Sequence, residues 1–294
     1  MRVNPNQWSL MLDTLDQVTA AENQAMQEVS TGKKLNVPSD DPAGMAMLIV
    51  NKASQSDCDQ YVRNISTTRS SLQTADSALS SVVSALTRAV TLGVEGANGT
   101  LSSTDRSAIA DEITGIRQEI LSLANGTFNG SYIFAGANSN TKPFLLDASN
   151  PSGVTYKGDS TTNQVTVADG STIAANKPGD TLFTTGTNVF GSLQSLLTAL
   201  QSGTSIDTAT SAVRAALDQV SAQRVSYGTS MQQLDDESGI QTGTKLQLQS
   251  QENNLSGVDM ADAISRLTNA ENARNATLAA AGRIGQTSLI DYLR

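Results

Sequence analysis

Ser30-Thr31-Gly32-Lys33 sets a hydroxyl three residues ahead of an amine, the S-x-x-K spacing in which lysine can deprotonate serine for acyl transfer. The companion S-D-N and K-T-G elements are missing, and a helix C-terminus capped by Gly32 accounts for the same residues. Asp40-Asp41 and Asp235-Asp236-Glu237 could pair carboxylates for acid-base work or hold Ca²⁺. Neither lies in a glycine-turn loop with regularly spaced oxygens, so they read as a helix cap and solvated charge. Gly239 and Gly243 have G-x-x-x-G spacing, but outside an apolar segment this marks a weak point in a helix. Cys58 is the single cysteine, which excludes an internal disulfide and any thiolate cluster; its place on an apolar seam predicts a small buried residue. Histidine is absent, so Ser-His-Asp and Cys-His catalysis and His-ligated metals are excluded. The residues predict no catalytic site, no metal and no cofactor.

What remains is the framework that would carry such residues. The 294 residues bear a formal charge of -9 and gather no run of Lys or Arg, which disfavours nucleic acid and anionic membrane surfaces as partners. The longest unbroken apolar run, residues 45–50, is far short of the roughly 20 residues of a membrane span, so none is expected. The start of the chain, MRVNPNQWSLML, lacks a secretory signal, which alone would suggest a cytoplasmic protein.

Prolines at 5, 38, 42, 143, 151 and 178 leave 43–142 and 179–294 open to long helices. From residue 58 a heptad seam runs Cys58, Ile65, Leu72, Leu79 and Leu86, with Tyr61, Thr68, Ala75, Val82 and Ala89 as its partner series. Asp41 and Pro42 should start this helix, and Gly93, Gly96 and Asn98-Gly99 should stop it. A second helix from about Thr104-Asp105 carries Ile109, Ile113, Ile116, Ile120 and Leu123. A third carries Ile206, Ala209, Val213, Ala216, Val220, Tyr227 and Leu234. The candidate bundle core is therefore Ile65, Leu72, Leu79, Val82, Leu86, Ile113, Ile116, Ile120, Val213 and Val220. Small residues along these seams bury little area each, so an isolated subunit should be only modestly stable.

Residues 128–190 hold seven of the eleven aromatics and three of the six prolines, with alternating runs at 132–134, 154–156 and 165–167 and turns at Asp169-Gly170 and Pro178-Gly179. They predict a β-rich insert. At the extremities weaker seams run Met11, Leu15, Val18, Ala25 and Val29, then Ile264, Leu267, Leu278, Ala281 and Leu289, with Glu271 and Arg274 interrupting the second. Neither stripe can bury itself alone. Both arms should be disordered or frayed in the free chain and become ordered by pairing with each other and with neighbouring subunits. The expected fold class is mainly α with an inserted β-rich domain: an elongated helical bundle built from both chain halves and flanked by terminal coiled-coil arms. The expected domains are arms at 1–39 with 255–294, the bundle at 40–127 with 191–254, and an outward-facing β-rich domain at 128–190.

Residues 30–36, followed by Asp40-Asp41-Pro42-Ala43-Gly44, resemble the amino-terminal signature of the bacterial flagellin family. Residues 258–264 and 288–293 resemble its closing helix. Within the family, residues 129–136 with 141–144, the short single insert and the Asp291-Tyr292-Leu293-Arg294 end are similar to the hook-filament junction branch of hook-associated proteins rather than to filament flagellin. The resemblance implies a structural adaptor ring made of copies of this chain, with the hook-side hook-associated protein, flagellin and the filament cap as partners. It also implies a cytoplasmic export chaperone on the C-terminal arm. Export would run through the flagellar type III apparatus without a cleaved signal, to an extracellular place on the flagellum, which replaces the cytoplasmic expectation. The alternatives are filament flagellin itself and a secreted enzyme using the β-rich insert, whose carboxylates Asp147, Asp159, Asp169 and Asp180 read as turn residues.

Overall fold

The computed structural model describes the backbone of residues 5–292 and the side chains of residues 9–283. In chain order the elements are α1 (Pro5–Thr31), α2 (Pro42–Gly96), α3 (Ser103–Ala124), six short strands, α4 (Gly179–Phe183), α5 (Val189–Ser202), α6 (Ile206–Ser256) and α7 (Met260–Tyr292). The strands are β1 (Thr127–Phe128), β2 (Ser131–Tyr132), β3 (Phe144–Leu146), β4 (Val154–Tyr156), β5 (Gln164–Ala168) and β6 (Ser171–Ala174), paired as three antiparallel hairpins. The chain forms two compact units, one from Met1–Asp57 with Thr244–Arg294 and the other Cys58–Gly243. These boundaries lie inside α2 and α6, not at the arm junctions read from the sequence.

Local chemistry explains the helix ends. The Asp41 carboxylate accepts from the backbone N–H groups of Ala43 and Gly44, both at 3.0 Å, with Pro42 as the first helical residue. Asp40 accepts from Asn36 and Val37, which holds its carboxyl below the usual carboxylate range. A reciprocal box starts α3: Asp105 N–H donates to Ser102 Oγ, and Ser102 N–H donates to Asp105. Gly93 and Gly96 lie inside α2 rather than past its end. A Cβ on Gly93 would meet Thr210, and one on Gly96 would meet Leu200, so they let neighbouring helices approach. α6 runs through Gly239 and Gly243 without a break.

In the Cys58–Gly243 unit, Ile65, Leu72, Leu79, Val82, Leu86, Ile113, Ile116, Ile120, Val213 and Val220 are buried in one hydrophobic cluster. Cys58 is buried on the same α2 face. α5 has no counterpart in the sequence reading, which began its bundle segment at 191. Its residues Phe190, Leu193, Leu196, Leu197 and Leu200 are buried while Ser195, Thr198 and Gln201 are exposed, so it is amphipathic, but its fourteen residues are too few for a sustained heptad seam. The Asn188 side chain caps it by accepting from Gly191 N–H at 2.8 Å. α3 packs along it, as the contact between the two helices shows.

The insert shares this core instead of building its own. Phe144 stands among Tyr156, Phe183 and Phe190 at ring-centroid separations of 5.1, 5.4 and 5.5 Å, and Phe134 meets Phe183 at 5.6 Å. The run 132–134 is a strand only at Tyr132, because Ile133 and Phe134 both turn into the core, where alternation would have exposed one. Pro178-Gly179 is the start of α4 and not a hairpin turn. Strands at 154–156 and 165–167, and the Asp169-Gly170 turn, stand where the alternation places them.

Asp147 accepts from Ser149 Oγ, Thr155 Oγ1 and Ser149 N–H, which lowers its pKa to about 2. A carboxyl lowered on folding stabilises the fold above its unfolded pKa of about 4, and that contribution fades as pH falls through the folded value. Carboxyl NMR titration should therefore show Asp147 titrating near 2, and Thr155→Val should move it back toward 4.

Among the described residues one helix, α2, contains a stretch long and apolar enough by composition to cross a bilayer. Counting unbroken runs overlooked it, because serines and threonines punctuate it. Its Leu79, Val82, Leu86 and Leu92 are spent in the core, as in an internal helix of a folded unit.

Candidate assembly surface

The unit that contains both chain ends is built around a turn and a helix pair. Gly32, with φ +67°, ends α1 and lets the chain reverse. Its neighbours then bridge to the start of the C-terminal arm: Lys34 N–H donates to Ser256 O at 2.8 Å, Val258 N–H donates to Gly32 O at 3.2 Å, and Lys33 forms a bridge with Gly257. Lys33 Nζ donates to Glu252 at 3.0 Å, and Gln55 donates to the other carboxylate oxygen. Both hold the Glu252 carboxyl below its usual range, the lysine bond more strongly. The S-x-x-K lysine is thus committed to Glu252, and Ser30 stands exposed at the end of α1. Asp235, in the other acidic cluster, pairs with Arg69 at 2.6 Å. Among the described residues no cluster of three metal-ligating side chains occurs.

α1 and α7 pair extensively. On α1, Met11, Leu15, Val18 and Val29 are half-buried and Ala25 is buried. On α7 the side facing α1 carries Ala263, Leu267, Ala270, Arg274, Thr277 and Ala281, spaced alternately by four and three. Ile264 and Leu278 lie off this seam and are exposed, and the side chain of Leu289 lies outside the described residues. Two acidic residues missing from the sequence seam, Glu22 and Glu28, are buried at this contact. Glu22 accepts from Arg274 at 2.6 Å, and Glu28 meets Arg266 at 3.0 Å. The heptad itself signals Glu22, which fills the gap between Val18 and Ala25; treating charge as an interruption of the seam hid it.

Because the α7 side of the seam is mostly small or charged, several large apolar residues of the pair are left outside. Leu10, Leu12 and Met26 on α1 and Ile264 and Leu278 on α7 are exposed, with Leu10 at 63%. In the same unit Met47, Ile49 and Val50 of α2 and Leu246 of α6 are exposed, each above 60%. Met47 and Val50 form one wall, with Leu248 and Leu255 opposite, of an open groove of about 450 Å³. Exposed apolar groups this numerous in one unit mark an interaction surface. Removing a Leu or Ile side chain from water contributes ~1.5–3 kcal/mol, so several such contacts suffice to hold subunits together.

Comparison with known proteins matches residues 3–139 to the bacterial flagellin N-terminal helical region and residues 210–293 to the bacterial flagellin C-terminal helical region. The chain is 31% identical to flagellar hook-associated protein 3 of Escherichia coli over 71% of this chain and 73% of that one. Its 33% identity to polar flagellin F of Vibrio parahaemolyticus extends over 46% of this chain and 36% of the flagellin. The solved flagellar junction protein FlgL of Legionella pneumophila shares the fold with a TM-score of 0.58 at 18% identity, across 69% of this chain and 100% of that one. With helical regions of the flagellin type at both ends and a relative matched across most of its length, this chain belongs to the flagellin-like family of flagellar hook-associated protein 3.

Proposed function

We propose that this chain is a structural subunit of the bacterial flagellum, forming the ring that joins the hook-side hook-associated protein to the flagellin filament. One observation carries the reading: in the unit holding both chain ends, the helix pair leaves the large apolar Leu10, Leu12, Met26, Ile264 and Leu278 facing outward. Met11, Leu15, Val18, Ala25, Val29, Leu267 and Ala281 serve the arm pair, whereas Ile264 and Leu278, with Leu289, serve contacts to neighbouring copies, flagellin and the filament cap. The C-terminal arm α7 is the segment a cytoplasmic export chaperone would cover before assembly. The role is mechanical rather than enzymatic, and its place is outside the cell at the hook-filament junction. The match to polar flagellin F over 36% of that protein, against 73% of hook-associated protein 3, supports an adaptor over a filament subunit.

Deleting the gene in the source bacterium should leave hooks bare while flagellin accumulates in the medium; normal filaments on the mutant would sink the proposal. In vitro, the arms should gain order on assembly. Far-ultraviolet circular dichroism of the full chain should show greater helicity in sulfate-driven polymer than in dilute monomer. An unchanged spectrum would mean that the arms are complete without neighbours.

A further inference from the structure

Heptad spacing on α1 runs Met11, Leu15, Val18, Glu22, Ala25, Val29, and on α7 it runs Ala263, Leu267, Ala270, Arg274, Thr277, Ala281. Glu22 and Arg274 therefore occupy true seam positions on facing helices, and they meet at 2.6 Å with the Glu22 side chain 8% exposed. Farther along, Glu28, with a side chain 4% exposed, meets Arg266 at 3.0 Å, and Arg266 also reaches Asp262 at 3.2 Å. Gln24 donates to Glu28 at 3.4 Å.

We propose that these two ion pairs fix the register and the partner of the arms: α1 accepts an α7-type helix only where both acids meet both arginines. The rest of the seam is a poor register mark. Alanines and half-buried aliphatics recur in successive layers, so a slip of one heptad would bring similar shapes together. Charge does not permit the slip. Shifting α7 by seven residues sets Arg274 against Leu15 or Val29 and takes Glu28 away from Arg266, so either slip leaves arm charges without their partners. Oε2 of Glu22 makes no hydrogen bond to the described residues in the observed register, so the carboxylate leans on Arg274. Two α1 helices in parallel register are disfavoured on this face as well, since Glu22 and Glu28 would each confront its own copy. The device rejects wrong pairings more than it strengthens the right one. It concerns contacts within one chain and so stands or falls apart from the flagellar role.

The test uses the full-length chain with Cys58→Ser and with cysteines introduced by Ala25→Cys and Ala270→Cys. These two positions lie between the ion pairs on their respective helices. Disulfide closure within dilute monomer is followed by peptide mass spectrometry. The parent should close. Glu22→Arg should slow closure about ten-fold, and Glu22→Arg combined with Arg274→Glu should restore it to within about two-fold of the parent. The proposal is overturned if the single variant closes as fast as the parent, if the double variant stays as slow as the single, or if the parent does not close at all. Because only an intrachain bond is read, a failure here leaves the deletion phenotype as an independent measure of the flagellar role.

Discussion

Phe144→Ala should be the most damaging single substitution in the Cys58–Gly243 unit, with a loss of about 3–5 kcal/mol. The ring is fully buried and touches Tyr156, Phe183 and Phe190, so truncation empties a space bounded by three other rings. Gly179 at the start of α4 also lies against it, a position where a Cβ would collide with the ring and with Phe134 O. Relaxation into the gap is limited, because Asn125 holds the Phe144 backbone from both sides, accepting its N–H at 2.9 Å and donating to its carbonyl at 3.0 Å. For a unit of this size the loss corresponds to a melting temperature lower by about 6–20 °C, measurable by calorimetry. A fall of only a degree or two would show that the strand segment is a peripheral attachment and not part of the common core.

The second large effect is on assembly rather than stability. Ile264→Ser together with Leu278→Ser should abolish sulfate-induced polymerisation while leaving the melting of the Cys58–Gly243 unit where it was. Both side chains are about half exposed in the single chain, so losing them removes little intrachain packing. In a polymer each would lose the half still in water, at ~0.7–1.5 kcal/mol per side chain, and repetition at every subunit multiplies the loss. Sedimentation velocity reads the polymer and calorimetry reads the fold. Polymer formed at the parent's protein concentration would mean that the outward apolar residues are bystanders.

How much of this was legible in the residues differs from element to element. α2 and α6 were readable because each keeps one apolar position per heptad over many turns, and the Asp41-Pro42 cap is a local signal that needs no tertiary partner. α5 is amphipathic too, with Ser195, Thr198 and Gln201 exposed opposite Leu193, Leu196 and Leu200, but its fourteen residues span only two heptads and do not stand out as a long seam. The strand at 132–134 was overextended because Ile133 and Phe134 answer to the aromatic cluster rather than to a ladder. For the arms the aliphatic members of the α1 seam lie at the pairing, and on α7 so do Leu267 and Ala281, whereas Ile264 and Leu278 are exposed. The pair closes in addition on the small Ala263 and Ala270 and on Arg274, which a seam of apolar residues alone leaves out. A charged residue at heptad spacing is informative only when its counterpart on the other helix is known, and that counterpart lies some 250 positions away in the sequence.

The bridge between Lys33 and Gly257 fastens the roots of two segments that stand at opposite ends of the polypeptide. Each arm thereby meets its mate as a tethered neighbour, at an effective concentration of the order of millimolar, whereas an arm of another molecule must arrive by diffusion. A crowd of identical subunits can consequently grow without exchanging strands, and breaking that small clasp should turn an orderly stack into a tangle of swapped ends.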